Sequence, residues 1–439
     1  MCKRFAGFTL VVLMALFLTQ AAVAAAPQVV LSAQSLIVDS KYVVCEKFNI
    51  DGSNYIRLRD IAYLLNGTDS QFSVNRDSAA NTVSLVTGEA YLADGSELVT
   101  SDTNKSCTAV PCSLSVQIDG ETVTDLSAYH IGNSDYFKLR DLGNAMGFAV
   151  KYNVAANAAV VNSIAEVTVT TAEELLDAIA PNTKILLSPG TYNLSTVKSA
   201  DVTNPYVSWD AVYDGAETII SGVKNCTLTG GNASSATVVV EPRYADVLEF
   251  RSCAGITVKN LTIGHTTEPG YCMGGVVNLT DSENIVIDSC VLYGCGTYGV
   301  VTQNAQGLTV RDTDIKECTY GIMSLSASSS LSFENSRFFD CGGFTMLNLD
   351  NCSDVSFSGC AITDNSSAYQ WDSLISLSVC NDVTFDGCRI SGNSMNSFIN
   401  VKSCSSVSFT GNTLEDNTFA SGLFAEYSDT DIVLPAGVE

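Results

Sequence analysis

Three aligned stretches decide the fold: AQGLTVRDTDIKEC at residues 305–318, SSSLSFENSRFFDC at 328–341 and CSDVSFSGCAITDN at 352–365. They belong to a pattern that occurs seven times within residues 247–419. The copies are anchored on the apolar residues Ile256, Ile285, Leu308, Leu331, Val355, Val383 and Val407. Successive anchors lie 23 to 29 residues apart. A period of this length indicates a solenoid, in which each copy buries its apolar face against its neighbours.

Within each copy, apolar and polar residues alternate, as around Leu308 and Val310, and this alternation predicts strands. Each copy has room for three short strands, which in the third copy would cover residues 300–303, 308–311 and 313–316. A rung of three strands that closes and then repeats describes a parallel β-helix. We predict a mainly β chain with rungs stacked about 4.8 Å apart, right-handed because parallel crossovers are right-handed. A leucine-rich repeat has a similar period, but its leucine/asparagine signature is absent.

Small side chains fill fixed columns of the repeat. Ten of the sixteen cysteines lie in three such columns, at three residues before, five after and ten after the anchor. Because the side chains of one column run parallel, we expect most of these cysteines to be free and packed as small buried hydrophobes. The alternative is a disulfide framework, which exported chains often carry. Cys107 and Cys112 lie in one short loop, and a local disulfide between them is an open alternative.

The composition restricts the possible partners. The formal net charge is −25, with 47 acidic and 22 basic residues. Such acidity argues against nucleic acid and against polyanions, uronate polymers included. It keeps an exported protein soluble, and it also offers carboxylates to Ca²⁺, although the sequence predicts no defined set of metal ligands.

The first residues predict export. Residues 1–26 carry Lys3 and Arg4, then an apolar run, then small residues around a cleavage point after Ala24, as in a secretory signal peptide. A single transmembrane anchor is the alternative, but the run is short for one. We expect a secreted or cell-surface protein without stable membrane insertion after cleavage.

Residues 28–163 contain a second repeat. The stretch YIRLRDI at 55–61 matches YFKLRDL at 136–142, and each is followed by a predicted helix and two strands. The Arg-Asp pairs in both stretches are interpreted as structural, with the acid near a helix N-terminus. This half resembles the copper amine oxidase N-terminal-like, or stalk, domain of exported proteins, which implies a spacer or attachment unit. The resemblance implies no copper site, and the two histidines of the chain, His130 and His265, are too few to build one.

Residues 165–192 predict a cap on the solenoid. A strand at 167–170 precedes a helix with Thr171 as its capping residue and Glu173 and Glu174 in its first turn. A helix at this place would cover the open end of the first rung. The stretch PGTY at 189–192, followed by the rungs, resembles the N-terminal cap of the pectin lyase-like superfamily of right-handed β-helices, over residues 165–430. That resemblance implies a carbohydrate or cell-wall polymer as partner.

In this superfamily, sites lie on the outward face of the first strand of each rung and on the long turn that closes the rung. The resemblance therefore points to four candidate catalytic residues, His265, Glu268, Glu317 and Asp340. The candidate substrate-binding residues are Arg251, Tyr271, Asn278, Tyr298, Gln303, Tyr320 and Trp371. Carboxylates one or two rungs apart would be separated by about 5 or 10 Å, so both separations used by glycosidases are within reach. The alternative is a solvated turn column, with His265 bonded to backbone.

The sequence thus predicts an exported β-helix protein that binds, and in one version cleaves, a neutral or weakly charged carbohydrate. Cleavage would make it a polysaccharide lyase or a glycoside hydrolase. The arginine- and lysine-rich groove expected for polygalacturonate is absent. Two alternatives stay open, a lectin-like binder without catalysis and a structural or adhesive cell-surface protein.

Overall fold

The computed structural model describes residues 29–100, 108–124, 126–231, 236–268, 273–294, 297–428 and 432–433. The predicted signal peptide, Cys107 and Tyr271 lie outside these residues. Within the described ranges, none of the helices has the length and apolar character needed to cross a membrane.

The larger part of the chain forms three long sheets, one for each strand of a rung. Sheet 1 contains Val207–Val212, Gly215–Ser221, Leu248–Arg251, Val277–Thr280, Tyr298–Gln303, Gly321–Ser326, Leu347–Asp350, Ser373–Ser378, Ser397–Lys402 and Phe424–Ser428. Sheet 2 contains Ala165–Val169, Thr183–Leu187, Lys224–Gly230, Ala254–Lys259, Glu283–Asp288, Gln306–Arg311, Ser329–Glu334, Ser353–Ser358, Asn381–Asp386, Ser405–Thr410 and Ile432–Val433. Sheet 3 contains Gly190–Asn193, Ala236–Val240, Leu261–His265, Val291–Tyr293, Asp314–Lys316, Arg337–Phe339, Ala361–Thr363, Arg389–Ser391 and Thr413–Glu415. Shorter elements are the 3₁₀ helix Leu194–Thr196 and the strand pair Ser394–Met395 and Thr418–Phe419.

The strand register confirms the predicted rungs. The anchors Leu308 and Leu331 are direct partners in sheet 2. The third copy forms the strands Tyr298–Gln303, Gln306–Arg311 and Asp314–Lys316, within two residues of the expected bounds. Apart from the hairpin that opens sheet 1, the printed pairings within the three sheets are parallel. The protein is therefore a mainly β, right-handed parallel β-helix with a small α+β module before it.

Identical side chains stack through the interior of the β-helix. Phe333, Phe357, Phe385 and Phe409 form a continuous pile with ring centroids 4.5 to 4.6 Å apart and nearly parallel planes. A shift of one residue in any strand would turn its apolar set to the surface, so this pile also fixes the register.

The cysteine columns serve as packing, as predicted. Every cysteine that the structure describes is a free thiol, and all of them except Cys112 are buried. The Cys360 thiol donates to the Phe333 carbonyl oxygen of the preceding rung at 3.3 Å. Burial raises the pKa of Cys290 to about 11, which keeps this thiol protonated. The bridge considered for Cys112 involves Cys107, outside the described residues, and stays a prediction.

The first rung is covered by the helix Ala172–Asp177. Its capping residue is Thr171, whose side-chain oxygen accepts a hydrogen bond from the Glu174 N–H at 3.1 Å. Leu175 and Leu176 are fully buried in the β-helix core. The helix therefore shields the apolar end of the stack from water.

The N-terminal module is built from two equivalent halves. The first half contains β1 (Val29–Leu31), β2 (Ser35–Val38), β3 (Lys41–Val43), β4 (Lys47–Ile50), β5 (Ser53–Arg57), α1 (Leu58–Leu65), β6 (Phe72–Asp77) and β7 (Thr82–Thr87). The second half contains β8 (Ala109–Pro111), β9 (Ser115–Ile118), β10 (Glu121–Val123), β11 (Ala128–Ile131), β12 (Ser134–Lys138), α2 (Leu139–Met146), β13 (Ala149–Asn153) and β14 (Ala158–Asn162). The central sheet has the order β1-β4-β5-β12-β11-β8, and the flanking sheets, β10-β9-β7-β6 and β13-β14-β2-β3, each combine both halves. This symmetry places equivalent residues of the two copies in equivalent surroundings.

The acid of the Arg-Asp motif has a structural role, and its partner is Arg57 and not the adjacent Arg59. Asp60 is buried at the start of α1 and pairs with Arg57 at 2.8 Å. In α1, Ile61 and Leu65 are fully buried, as their spacing predicts. The module contacts the β-helix through Lys224 and Asp119, whose charged groups lie 3.4 Å apart.

Candidate functional site

The predicted catalytic column lies where the closing turns leave sheet 3. Here His265, Glu268 and Glu317 line a cavity of about 220 Å³, together with Thr266, Thr267, Tyr293 and Gly294. Glu268 and Glu317 are exposed, and Glu317 pairs with Lys316 at 3.2 Å. Asp340 is exposed and lies outside this lining. The structure thus brings three of the four candidates together, with both acids in solvent.

His265 differs from the two acids because it is buried. Only 2% of its surface is exposed, and its Nε2 lies 2.9 Å from the Ala245 carbonyl oxygen. That contact requires the proton on Nε2. Its Nδ1 is buried without a partner among the described residues. Burial lowers the pKa of His265, so the ring is neutral at physiological pH. This geometry agrees with the alternative of a backbone-bonded residue.

The backbone accounts for the acids of this column. Glu317, Asp340, Asp364 and Asp416 all have left-handed backbone conformations, with φ between 53° and 57°. Asparagine and aspartate tolerate this region better than most residues. The left-handed turn therefore explains the three aspartates, which lie nine residues after three of the seven anchors.

A second group of acids lies at the other end of the closing turns, where the chain enters sheet 1. Carboxylate oxygens of Glu217, Asp246 and Glu249 lie within 4.8 Å of one another. Glu217 comes from the hairpin that precedes the repeat, Asp246 from a turn, and Glu249 from the strand Leu248–Arg251. Glu217 is 9% exposed and Glu249 only 3%. We call these three residues the carboxyl cluster.

Hydrogen-bond donors hold Asp246 in place. Its Oδ2 accepts from Asn278 Nδ2 at 2.7 Å, and its Oδ1 accepts from the Gly275 N–H. The Asp246 N–H in turn donates to Glu217 Oε1 at 2.7 Å. Two donors directed at one carboxylate stabilise its negative charge.

Burial raises the pKa of the other two acids of the carboxyl cluster, and Glu217 is protonated at neutral pH. Burial, followed by the charge of Asp246, raises the pKa of Glu217 to about 8. Burial also raises the pKa of Glu249, against the opposing effect of Arg251. Glu249 Oε1 accepts from Arg251 Nε, whereas its buried Oε2 has no partner among the described residues. A protonated carboxyl group beside a charged one is an arrangement suited to acid–base chemistry.

Three predicted substrate-binding residues lie at or beside the carboxyl cluster. Asn278 bonds Asp246, and Arg251 bonds Glu249 and, at 3.1 Å, Asp210 Oδ2. Gln303 is exposed in the same column as Arg251, two rungs further along sheet 1. The outward face of sheet 1 therefore carries a polar track that leads away from the cluster.

The carboxyl cluster also has the donor set for a divalent cation. Carboxylate oxygens at this separation suit a hard ion such as Ca²⁺. A bound cation would remove the like-charge repulsion that raises the pKa of Glu217, and Glu217 would then ionise. The cluster thus has two chemical forms, with a shared proton or with a cation.

Exposed aromatic side chains form a row across the closing turns. Tyr320 packs edge-on against Phe344 with centroids 4.7 Å apart, and Phe344 stacks on Tyr369 at 5.4 Å with planes 4° apart. The hydroxyl of Tyr320 also lies 3.9 Å from the sulfur of Met273. Trp371, in the same loop as Tyr369, is 78% exposed. We call Tyr320, Phe344 and Tyr369 the aromatic row.

Tyr298 continues this series towards the carboxyl cluster. It lies one rung before Tyr320 and is half-buried, and burial raises its pKa. Its ring edge would lie 3.0 Å from a Cβ placed on Gly321, and the Thr345 carbonyl oxygen would lie 2.4 Å away. Glycine at this position therefore allows the turn to pass close to the ring.

Sequence reasoning missed Glu217, Asp246 and Phe344. Glu217 lies in a hairpin outside the repeat, so a column analysis has nothing to align it with. Asp246 precedes the first complete copy of the pattern. Phe344 follows two glycines, and its stacking partner Tyr369 belongs to a loop whose course the repeat does not predict. The one available sequence signal was a pair of acids, Asp246 and Glu249, which lie two residues before Leu248 and two residues before Arg251.

Comparison with known proteins assigns the repeat. Residues 222–419 match the family model described as a right-handed β-helix region. The match does not extend to residues 28–163, so their likeness to stalk domains stays a prediction. No curated protein matches the sequence.

Several solved structures are similar to this chain. An alginate lyase from Paenibacillus sp. str. FPU-7 is 10% identical, with 60% of this chain and 98% of that chain covered and a TM-score of 0.36. A pectate lyase from Bacillus sp. N165, in complex with trigalacturonate, is 14% identical, with coverages of 57% and 82% and a TM-score of 0.34. A pectin methylesterase from Aspergillus niger is 10% identical, with coverages of 66% and 94% and a TM-score of 0.38. Likenesses of this degree carry no argument about the reaction or substrate of this chain.

Proposed function

We propose that this protein binds an extended carbohydrate chain across its closing turns, outside the cell, and that the carboxyl cluster hydrolyses it. The observation that carries the proposal is the pair of Glu217 and Asp246. The Glu217 carboxyl group is protonated at neutral pH, with a pKa of about 8, and the Asp246 carboxylate beside it accepts hydrogen bonds from Asn278 and from the Gly275 N–H. Glycoside hydrolysis uses two carboxyl groups in these two states.

In the proposed reaction, Glu217 gives its proton to the glycosidic oxygen as the bond to the anomeric carbon breaks. Carboxylate oxygens of Glu217 and Asp246 lie within 4.8 Å of each other, so both groups can reach the same glycosidic bond. Asp246 therefore attacks the anomeric carbon and forms a glycosyl ester. Water then hydrolyses the ester, with Glu217 as base, and both carboxyl groups return to their starting states.

The aromatic row supports binding of a chain of several sugar units. Aromatic faces stack on the apolar faces of sugar rings, and an exposed row offers several such contacts. The strand Tyr298–Gln303 lies two rungs beyond Leu248–Arg251. The strand Gly321–Ser326, which follows Tyr320, lies three rungs beyond it. At about 4.8 Å per rung, the row begins roughly 10 to 15 Å from the carboxyl cluster.

The charge of the protein supports a neutral or weakly charged substrate. A net charge of −25 and an acidic cluster at the reacting end both repel polyanions.

The test combines binding and turnover on the same oligosaccharides. We expect calorimetry to detect binding of a neutral oligosaccharide, and a reducing-end assay to detect its cleavage, with polygalacturonate as the acidic control. Asp246→Asn should abolish the release of reducing ends while binding is retained. Binding without release by the wild-type chain would refute hydrolysis and leave a lectin-like protein. No binding across a broad panel would refute both parts and favour a structural or adhesive role.

The same assay decides between the two forms of the carboxyl cluster. Hydrolysis by a shared proton requires full turnover in the presence of a chelator. Loss of turnover on chelation, with recovery on adding Ca²⁺, would assign the three carboxylates to a cation and overturn the role given to Glu217.

A further inference from the structure

The duplication of the N-terminal module produces two equivalent cavities, one in each half. The first cavity, of about 250 Å³, is lined by residues of α1, β6 and β7, and the second, of about 440 Å³, by residues of α2, β13 and β14. The equivalent lining residues are Leu58 and Leu139, Arg59 and Arg140, Val74 and Val150, and Val83 and Ala159. The two cavities share an apolar floor and an arginine, so they can be compared position by position.

A segment of the chain forms one wall of the first cavity. After β7, residues 88–100 cross over it and bring Tyr91, Leu92 and Asp94 into its lining. Asp94 Oδ2 lies 4.0 Å from Arg59 NH1, and Arg59 also donates to Ser96 Oγ at 2.5 Å. The arginine of this cavity is thus paired within the chain.

A second carboxylate reaches the first cavity from the other half of the module. Asp135, on β12, pairs with Arg76 at 2.6 Å. The third arginine of the lining, Arg57, pairs with Asp60, so all three cations that line this cavity are neutralised by acids of the chain. Asp94 and Asp135 show that this type of cavity accepts carboxylate groups.

The second cavity lacks both acids. The position equivalent to Asp135 is occupied by Asn54, whose amide donates to Gln34 Oε1 at 2.6 Å. No segment equivalent to 88–100 exists in the second half, because β14 ends at Asn162 and the next strand begins at Ala165. Its lining contains no acidic side chain.

The second cavity instead carries unpaired positive charge. Arg140 is exposed and has no ion-pair partner among the described residues. Lys138 also lines the cavity but pairs with Asp141 at 3.0 Å. The side chain of Lys151 points to the face of β13 opposite Val150, because successive strand residues alternate between faces. In a chain with a net charge of −25, an unpaired arginine at an apolar cavity forms a local site for an anion.

We propose that the second cavity binds an acidic peptide segment of a partner protein, as residues 89–99 of this chain form one wall of the first cavity. Arg140 would bind a carboxylate, as its equivalent Arg59 pairs with Asp94, and Leu139, Val150 and Ala159 would contact an apolar or aromatic side chain. A peptide fits better than an acidic polysaccharide because the apolar floor is equivalent in both cavities. In the first cavity, that floor lies beside two side chains of a peptide segment, Tyr91 and Leu92.

The chain supplies its own probe for the test. A labelled synthetic peptide with the sequence of residues 89–99, EAYLADGSELV, is titrated with the full chain, and binding is followed by fluorescence anisotropy. We expect saturable binding that Arg140→Ala weakens by roughly tenfold. The control, Lys41→Ala, removes the same charge from an exposed position elsewhere and should leave binding unchanged.

Two further arms separate the cavity from general charge attraction. Asn54→Asp restores the acid found in the first half, so it should also weaken binding. A peptide in which Asp94 is replaced by asparagine should bind more weakly than the parent peptide. Three outcomes would overturn the proposal. The first is equal binding by the cavity variant and the control, and the second is no binding of the peptide. The third is displacement of the labelled peptide by poly(glycerol phosphate) as effectively as by unlabelled peptide.

Discussion

The closing turns of the β-helix carry acids at both ends, and the two ends differ in what surrounds those acids. Where the turns leave sheet 3, Glu268 and Glu317 are exposed, and the backbone is left-handed at the four acids of the column. Where they enter sheet 1, Glu217 and Glu249 are almost completely buried. The difference teaches that acids recur in a column because of turn geometry. A carboxyl group with a raised pKa also needs burial, which here comes from an element outside the repeat. Here that element is the hairpin before the first rung.

The largest expected effect separates the two ends by catalysis. Glu217→Gln removes the acid and should lower turnover by about 10²- to 10⁴-fold while binding persists. The wild-type rate should also fall as the pH rises past about 8, because Glu217 then loses its proton. Both are measured as reducing ends released at a series of pH values.

Glu317→Gln is the matched control for this experiment. It makes the same chemical change at the exposed end of the turns, in a residue whose side chain is 48% exposed. The comparison predicts an unchanged rate for this variant. A loss as large as that of Glu217→Gln would place the chemistry in the predicted column and reverse the conclusion drawn from burial.

The next effect concerns binding and tests whether the aromatic row belongs to the site. Phe344→Ala with Tyr369→Ala removes two stacked faces and should weaken oligosaccharide binding by roughly tenfold. The control is Tyr42→Ala with Tyr63→Ala, two exposed aromatic residues of the N-terminal module. Calorimetry that finds equal affinities for the two double variants would exclude the row from the binding surface.

The sequence predicted the fold far better than the site. Period-two alternation and a repeat of about two dozen residues are global constraints, so Leu308 and Leu331 were paired correctly and the cysteine columns were correctly interpreted as packing. The site depends on contacts across irregular segments. Asn278 and Arg251 were found because they lie on a regular strand face. Glu217 was missed because its approach to Asp246 is set by a hairpin that no periodicity describes.

A third effect links the carboxyl cluster to stability. The pKa of Glu217 is about 8 in the folded chain and near 4.5 in an unfolded one, so the folded state binds the extra proton between these pH values. Its contribution to stability is complete below pH 4.5 and is lost as the pH rises through about 8. Within that window the free energy of unfolding should fall by about 1.4 kcal/mol per pH unit from this group.

Chemical denaturation at several pH values measures that slope. Glu217→Gln should remove this contribution, so the difference between wild type and variant should change with pH between about 5 and 8. Glu317→Gln should keep the wild-type slope, because its carboxyl group is in solvent. Parallel curves for wild type and Glu217→Gln would mean that the burial of Glu217 does not hold its proton.

The smallest expected effect tests the explanation given for the exposed column. Glu317 has a φ of 57°, a conformation that costs an ordinary side chain more than it costs glycine. Glu317→Gly should therefore raise the free energy of unfolding by about 0.5 kcal/mol, the relief of backbone strain less the entropy that glycine adds to the unfolded chain. Glu283→Gly is the control, since Glu283 is exposed on the strand Glu283–Asp288 and has no left-handed backbone. There glycine should destabilise by about 0.5 to 1 kcal/mol. If both variants lose stability equally, left-handed geometry is not what selects the residues of the column, and their acidity needs another reason.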